Sequence, residues 1–204
     1  PIQLGNPHLK PELIDTYELA LSHKASEQLL YSINIYHYQI NDYIVLIPTG
    51  LGSNQMQNSG KRHGQGFGLE TDYSPLDNLR IVANYSYQIS KDDTTKQVSG
   101  ENPNHQLYLR GEWNINKAWL FSPQLNMIGQ QKRAAGDTRA PIESYTTIDV
   151  SLRHKKLAQP LSVALSVHNS FNANVREASP APAVVANDFP MAKRSIMAEL
   201  NYQF

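Results

Sequence analysis

The strongest constraint on this chain is a period of two. Nine separate stretches alternate apolar with polar residues. The last one shows it most plainly. Ile196, Ala198, Leu200, Tyr202 and Phe204 share one parity, and Ser195, Met197, Glu199, Asn201 and Gln203 share the other. Successive side chains of a strand point to opposite faces, so such a stretch reads as a strand with one apolar face. A helix needs apolar residues three and four apart, and here they fall two apart.

The other eight stretches run from about Ile14 to His23, Leu29 to Ile40 with an extension toward Ile47, Gly64 to Tyr73, Leu79 to Ile89, His105 to Trp113, Trp119 to Gln130, Tyr145 to His154, and Leu161 to Phe171. The parity blurs at Tyr36-His37-Tyr38, where a bulge is expected. Pro123 lacks an amide hydrogen, so it demands a bulge or an unpaired position. The connections alternate in length. Lys24–Gln28, Ser74–Asn78, Asn114–Ala118 and Lys155–Pro160 are short; Pro48–His63, Ser90–Asn104, Gln131–Ser144 and Asn172–Lys193 are long. The expected fold is all-β: one antiparallel meander in which each strand pairs with its sequence neighbours, with no parallel pairing and no substantial helix.

Composition separates two ways of using such a sheet. No stretch approaches the roughly 20 apolar residues of a membrane helix, and the longest compact apolar run is Tyr43-Ile44-Val45-Leu46-Ile47. A transmembrane β-barrel escapes that test, because lumen-facing polar residues dilute every strand. Short turns on one side and long loops on the other are the layout of an outer-membrane barrel. A soluble sandwich or lipocalin-like barrel would also alternate, with its apolar face turned inward. Eleven tyrosines fit interfacial girdles. Trp113, Trp119 and Tyr73 fall at the periplasmic strand ends, and Tyr17, Tyr87 and Tyr145 nearer the outer ends. The chain carries 18 basic and 18 acidic residues, so it has no nucleic-acid footprint. It has no cysteine, which excludes disulfides and thiolate metal sites.

Ordered motifs add a family resemblance. Asn6-Pro7-His8-Leu9-Lys10-Pro11-Glu12 followed by Asp15-Thr16-Tyr17-Glu18-Leu19 resembles the NPxLKPE…YELG element of TonB-dependent outer-membrane receptors. Gly66-Phe67-Gly68-Leu69-Glu70 resembles that family's G-x-E-x-E strand. Ser74-Pro75-Leu76-Asp77-Asn78-Leu79 with Ala83-Asn84-Tyr85-Ser86-Tyr87 resembles its P-x-x-x-L…ANYTY hairpin. Asn104-His105-Gln106-Leu107 is similar to P-x-H-x-x-x-L. Val167-His168-Asn169-Ser170-Phe171-Asn172 is similar to V-x-N-L-F-D, with Ser170 in place of Leu.

The resemblance implies a barrel of about 22 strands around an N-terminal plug domain. Residues 1–204 would then be its C-terminal portion, about the last nine strands, without the plug and without the TonB box. Pro1 rather than Met at the start fits a piece of a longer chain. It further implies location in the bacterial outer membrane and uptake of a ferric siderophore or similar scarce nutrient. The implied partners are that ligand, the chain's own plug, TonB with its inner-membrane energising complex, and outer-membrane lipid and lipopolysaccharide. A passive porin or adhesin barrel is the alternative. Leu200, Tyr202 and Phe204 match the aromatic-ended insertion signal of such barrels.

Candidate ligand-binding residues are Tyr36, Tyr38, His63 and His105, which fall near the outer strand ends. Aromatic rings stack on planar chelators and their hydroxyls add directional bonds. The two tyrosines are equally well read as part of the outer girdle, and the histidines as solvated loop residues. The seven histidines form no H-x-H, H-x-x-x-H or H-E-x-x-H, so no prebuilt metal site and no cofactor is expected. Gly64-Gln65-Gly66-Phe67-Gly68 leads into a strand rather than a helix, which fails the test for a phosphate-binding loop; glycines there ease curvature or close packing. Glu70, Asp72, Arg80, Arg110, Glu112, Asp149, Arg153 and Glu199 share the polar parity, where they would pair with one another or with the plug. No G-x-S-x-G is present, so enzyme activity is not expected. Lys193-Arg194 is placed to meet lipopolysaccharide phosphates or to serve as a strand-edge charge.

Overall fold

A computed structural model describes residues 2–50, 52–98, 100, 102–133, 137–158, 161–179, 185 and 187–202. Its strands are β1 (Ile2–Leu4), β2 (Leu13–Lys24), β3 (Leu29–Gly50), β4 (Ser53–Leu76), β5 (Leu79–Asp92), β6 (His105–Asn114), β7 (Trp119–Ile128), β8 (Tyr145–Ala158), β9 (Leu161–His168), β10 (Arg176–Glu177), β11 (Phe189–Pro190) and β12 (Ser195–Tyr202). No helix occurs among the described residues. Nine strands form one antiparallel meander in the order β2 through β9 and then β12, each paired with its neighbour in that order. Two features depart from expectation. β1 pairs in parallel with β4, Ile2 opposite Ser53 and Leu4 opposite Gln55. β10 and β11 form a small sheet of their own inside the last long connection.

Residues directly opposite one another on paired strands share a face, so the register sorts the side chains. Leu79, Trp113, Phe121, Leu152, Leu165 and Ala198 stand in one row across six strands. Leu21, Ile33, Leu69, Tyr85, Leu107 and Met127 form another. The opposite face carries Ser22, Ser32, Glu70, Asn84, Tyr108, Asn126 and Thr147 in a single row. The apolar parities of all nine strands therefore coincide on one side. That side is uncovered: Tyr17 is 74% exposed, Leu165 51% and Leu200 70%. Among the described residues the buried apolar ones are Ile142, Ala164 and Val175, and two of these lie in long connections. A soluble sandwich would bury its apolar face, so this sheet has the design of a wall whose solvent on that side is hydrocarbon.

The apolar band has a definite height. On β5 it runs from Leu79 to Ile89 and ends at Lys91 on the same parity. That is about 33 Å along the strand, or about 25 Å vertically at a tilt near 40°, the height of a lipid-facing barrel belt. Trp113, Trp119 and Tyr73 lie at the short-turn ends of the band, with Trp119 edge-on to His154 at 4.7 Å between ring centroids. Tyr17 and Tyr87 lie at the other border. Tyr145 does not: it stands opposite Ile128, in the row of Asn34, Ser86 and Gln106, and so belongs to the polar face.

Three local expectations resolve physically. The connection expected from Pro48 to His63 is strand almost throughout, because β3 and β4 stay paired from Ile44–Asn58 to Gly50–Ser53. Gly50 and Gly52, at φ of 90° and 76°, supply the left-handed turn at its tip. The ladder passes straight through Tyr36-His37-Tyr38; the irregularity lies between Ile40 and Ile44, where Asp42 has φ of 55°. Pro123 gives an unpaired position without a bulge: the β6–β7 ladder is missing between Arg110–Gln124 and Trp113–Phe121 and resumes in the same register.

The polar face neutralises its own charge. Arg80 makes a two-pronged contact with Asp72, as short as 2.6 Å, and lies 3.7 Å from Glu112. Glu112 also takes Arg110 at 2.5 Å, and Arg153 donates to Glu199 at 3.1 and 3.3 Å. A pair of single substitutions tests the sidedness. Leu165→Arg places a cation on the apolar face and should cost roughly 2–4 kcal/mol of barrel stability. Ser166→Arg, on the face where Ser166 donates to Ser151, should be tolerated. Unfolding titrations of the bilayer-inserted full-length protein compare them, and a larger loss for Ser166→Arg would invert the assignment.

Candidate functional site

The long-connection end of the polar face carries the built features of this chain. On β3, Asn34, Tyr36 and Tyr38 share the polar parity and stand opposite Gly68, Gly66 and Gly64 of β4. A β-carbon on Gly64 would lie 2.4 Å from the Tyr38 ring, and one on Gly66 2.5 Å from the Tyr36 hydroxyl. The glycines thus leave room for both rings to lie across the neighbouring strand. The rings are nearly parallel, with centroids 6.5 Å apart and planes 16° apart. A flat aromatic ledge results, facing the polar side rather than the lipid border.

Beside the ledge is a groove of about 300 Å³ lined by Asn34, Tyr36, Glu70, Asn84, Gln106 and Tyr108. Its floor is made of amides and hydroxyls because each strand contributes its polar parity there. Gln106 and Ile128 continue it into a second hollow of about 360 Å³ that adds Glu143, Tyr145 and Glu177. Tyr145 and Glu177 in turn border a third of about 370 Å³ with Asp149, His168 and Lys193. Glu177 lies on β10, so the last long connection folds over the polar face and roofs this track.

The roof is held by a clasp of ion pairs that joins two long connections. Arg133 donates to both carboxylate oxygens of Asp188, at 2.6 and 2.7 Å, and to the Ala140 carbonyl at 2.8 Å. Arg139 grips Asp137 at 2.6 Å, donates to the Ser179 hydroxyl and carbonyl at 2.8 Å each, and lies 3.4 Å from Asp188. The Ser179 amide donates to Asp188 at 3.1 Å. Asp188 sits in the left-handed region at φ of 62°. The Arg133 hydrogen bonds hold the Asp188 carboxyl well below the usual carboxylate range. Those of Arg139 lower Asp137 to about 2. Partners up to 55 residues apart leave no periodic signal in the sequence.

The four expected ligand residues divide between the two faces. Tyr36 and Tyr38 come together on the polar side. His63 lies opposite Gln39 and Lys91 on the other parity, with its Nδ1 2.8 Å from Asp93. His105 shares that parity, opposite Tyr87, and its Nδ1 is 2.8 Å from the Tyr85 hydroxyl. Leu200 and Tyr202 lie on the exposed apolar face of β12, opposite Val163 and Leu161. Phe204 lies outside the described residues. Lys193 donates to Asn174 at 3.0 Å and Arg194 to the Ser170 carbonyl at 3.4 Å. No group of His, Asp and Glu side chains suited to hold a metal ion occurs among the described residues.

Comparison with known proteins gives one consistent neighbourhood. The family model described as TonB dependent receptor-like, beta-barrel, matches residues 1–170. The metal-pseudopaline receptor CntO of Pseudomonas aeruginosa is 25% identical over 153 residues; the match takes in 71% of this chain and 21% of the relative, so the chain spans about a fifth of that protein's length. Among solved structures, the ferric enterobactin receptor of Pseudomonas aeruginosa in complex with enterobactin superposes with a TM-score of 0.83 at 18% identity, covering 97% of this chain and 32% of that one. The copper transporter OprC superposes with a TM-score of 0.80 at 16% identity, with the same coverages.

The clasp makes its own prediction. Asp188→Ala strands the Arg133 guanidinium, which has no other carboxylate partner among the described residues there, and should cost the local roof about 2–3 kcal/mol. Limited proteolysis of the inserted receptor should then cut residues 131–144 and 172–193 at least tenfold faster, with the barrel intact. The carboxylates of the clasp titrate below their unfolded values near 3.9. Their stabilisation is therefore complete above that pH and is lost as pH falls through the folded values, toward about 2 for Asp137. Protection should be constant from pH 7 to 5 and fail only under strong acid; loss of protection near pH 6 would contradict the assignment.

Proposed function

The chain belongs to the TonB-dependent receptor β-barrel family of the bacterial outer membrane, and we propose that it forms the C-terminal part of the barrel of a receptor that takes up a chelated metal. The observation that carries the reading is the roofed polar track with the Tyr36–Tyr38 ledge at its long-connection end. A wall with lipid on its apolar side has its lumen on the polar side, and a lumen that gathers aromatic, amide and hydroxyl groups at one end offers a ligand site rather than an open channel. The names of the relatives, which refer to metal-pseudopaline, copper and ferric enterobactin, support a metal or its chelate as cargo.

In this reading Tyr36 and Tyr38 stack against a planar or hydroxylated chelator, while His63 and His105 belong to the wall at the level of the lipid headgroups. The polar face also contacts a plug domain supplied by another part of the protein. The plug receives TonB and its energising complex, and cargo passes between plug and barrel. Leu200, Tyr202 and Phe204 serve as the insertion signal. Arg194, on the parity of Ile196 and Leu200, reaches lipopolysaccharide phosphates, while Lys193 borders the polar track. The chain performs no covalent chemistry on its cargo.

Uptake of labelled chelates tests this reading. The full-length receptor, expressed in a receptor-deficient host, is offered ferric enterobactin, a ferric hydroxamate and a metal–pseudopaline complex. At least one should enter in the presence of TonB and fall to background without it. Replacing residues 44–58 by a two-residue turn should reduce its binding at least tenfold while the barrel still assembles, and Tyr38→Ala should reduce it about threefold. Entry that is indifferent to TonB would point instead to a passive porin.

A further inference from the structure

The β3–β4 hairpin has a mechanical problem. β2 supports β3 only as far as Leu13 opposite Asn41, and β5 supports β4 only as far as Arg62 opposite Asp92. Beyond those rungs the two strands continue for about 30 Å. A two-stranded hairpin alone is marginally stable in water. This one also stands on an irregular base, because the ladder shifts register between Ile40 and Tyr43 and again before Ile44, with Asp42 at φ of 55°. An irregular base under a long unsupported arm is a hinge.

Residues 2–12 cross that arm. β1 lies along the free edge of β4 at its tip. The chain then runs across the hairpin to enter β2 beside β3. Four side chains tie it down. Gln55 donates to the Gly5 carbonyl at 2.9 Å, and Asn6 donates to the Met56 carbonyl at 2.8 Å. At the far edge the Glu12 carboxylate accepts the Ile44 amide at 2.8 Å. In the middle is Asn58. Its Oδ1 accepts the Lys10 amide and its Nδ2 donates to the Lys10 carbonyl, both at 2.8 Å. The same Nδ2 also donates to the carbonyl of Asp42, in the hinge, at 2.8 Å. The carboxamide thus acts as a peptide group would in a ladder, and it joins strap to hinge. Pro7 and Pro11 have no amide hydrogen to leave unpaired on such a strap.

We propose that Asn58 is a positioning residue that locks residues 5–12 across the hinge, so that the β3–β4 hairpin and the segment entering β2 stand as one body at the ligand-receiving end. This rests on the reading of that end as the receiving end, and it gives the Asn6–Glu12 motif a mechanical role as the strap. Asn suits position 58 because both halves of its amide are used. Asp keeps the acceptor for Lys10 and loses both donated bonds; Leu loses all three.

The test measures position and needs no cargo. In the full-length receptor, reconstituted in bilayers and with no other cysteine, spin labels at Ser53→Cys on the hairpin tip and Thr94→Cys beyond β5 report their distance distribution by double electron–electron resonance. With Asn58 present the distribution should be narrow. Asn58→Leu should at least double its width, and the isosteric Asn58→Asp should fall between, each with the barrel assembled by its heat-modifiable gel mobility. Unchanged widths in both variants would overturn the proposal. The uptake panel is read separately, so a failure of the strap and a failure of the receptor reading give different results.

Discussion

Everything in this structure follows from hydrogen-bonding a polypeptide backbone where one side of the sheet has no water. An amide left unpaired in hydrocarbon costs several kcal/mol, so the ladder must run strand to strand without a gap. The chain meets that demand with a nine-stranded meander in which every strand pairs with the next. The lapse at Pro123 keeps register and spans only two rungs, and the register shifts of the β3–β4 ladder begin at Ile40, near its long-connection end. A fixed ladder then determines the side-chain faces, because a slip of one residue would exchange the whole apolar set for the polar one.

The two faces solve different problems. The apolar face needs no core, and many of its Leu, Ile, Tyr and Trp side chains stay exposed on the protein because lipid covers them. The polar face must carry charge without scattering it, and it pairs Arg80 with Asp72 and Arg153 with Glu199. It also trades side-chain volume between strands. Glycines at 64, 66 and 68 allow Tyr38, Tyr36 and Asn34 to lie flat. Much of the burial among the described residues lies in the long connections, at Ile142, Val175, Ser179 and Asp188. The wall is thus stiffened by its ladder and its mouth by ion pairs and a strap.

The meander is legible in the sequence because period two is a local signal that each strand repeats. Leu79–Ile89 and Leu161–His168 can be read residue by residue, since one face is lipid and the other is wet. The upper hairpin is illegible for the same reason. Above the membrane both faces meet water or the strap, so Asn54-Gln55-Met56-Gln57-Asn58 carries no alternation and resembles a loop. The bulge expected at Tyr36-His37-Tyr38 rests on polar rings breaking the pattern, but the rings obey it and the glycines opposite absorb their size. Tyr145 departs from its expected place because an aromatic near a strand end invites a reading by position rather than by parity; counting from Ile148 puts it on the polar side. The clasp and the strap lie beyond reach altogether, since Arg133–Asp188 and Lys10–Asn58 join residues far apart in sequence with no repeating pattern to reveal them.

The central claim is that the apolar parity of these strands faces lipid and the polar parity faces an aqueous lumen. Residues 1–204 have no cysteine, so their strands accept a scan of single-cysteine spin labels in the full-length receptor, in bilayers and cleared of any cysteine elsewhere. Collision with dissolved oxygen, which concentrates in hydrocarbon, is compared with collision with a water-soluble nickel chelate at each position from 161 to 168. Labels at Leu161, Val163, Leu165 and Val167 should favour oxygen, and labels at Ser162, Ala164, Ser166 and His168 should favour the chelate. A scan with no alternation, or with the two sets exchanged, would contradict the account.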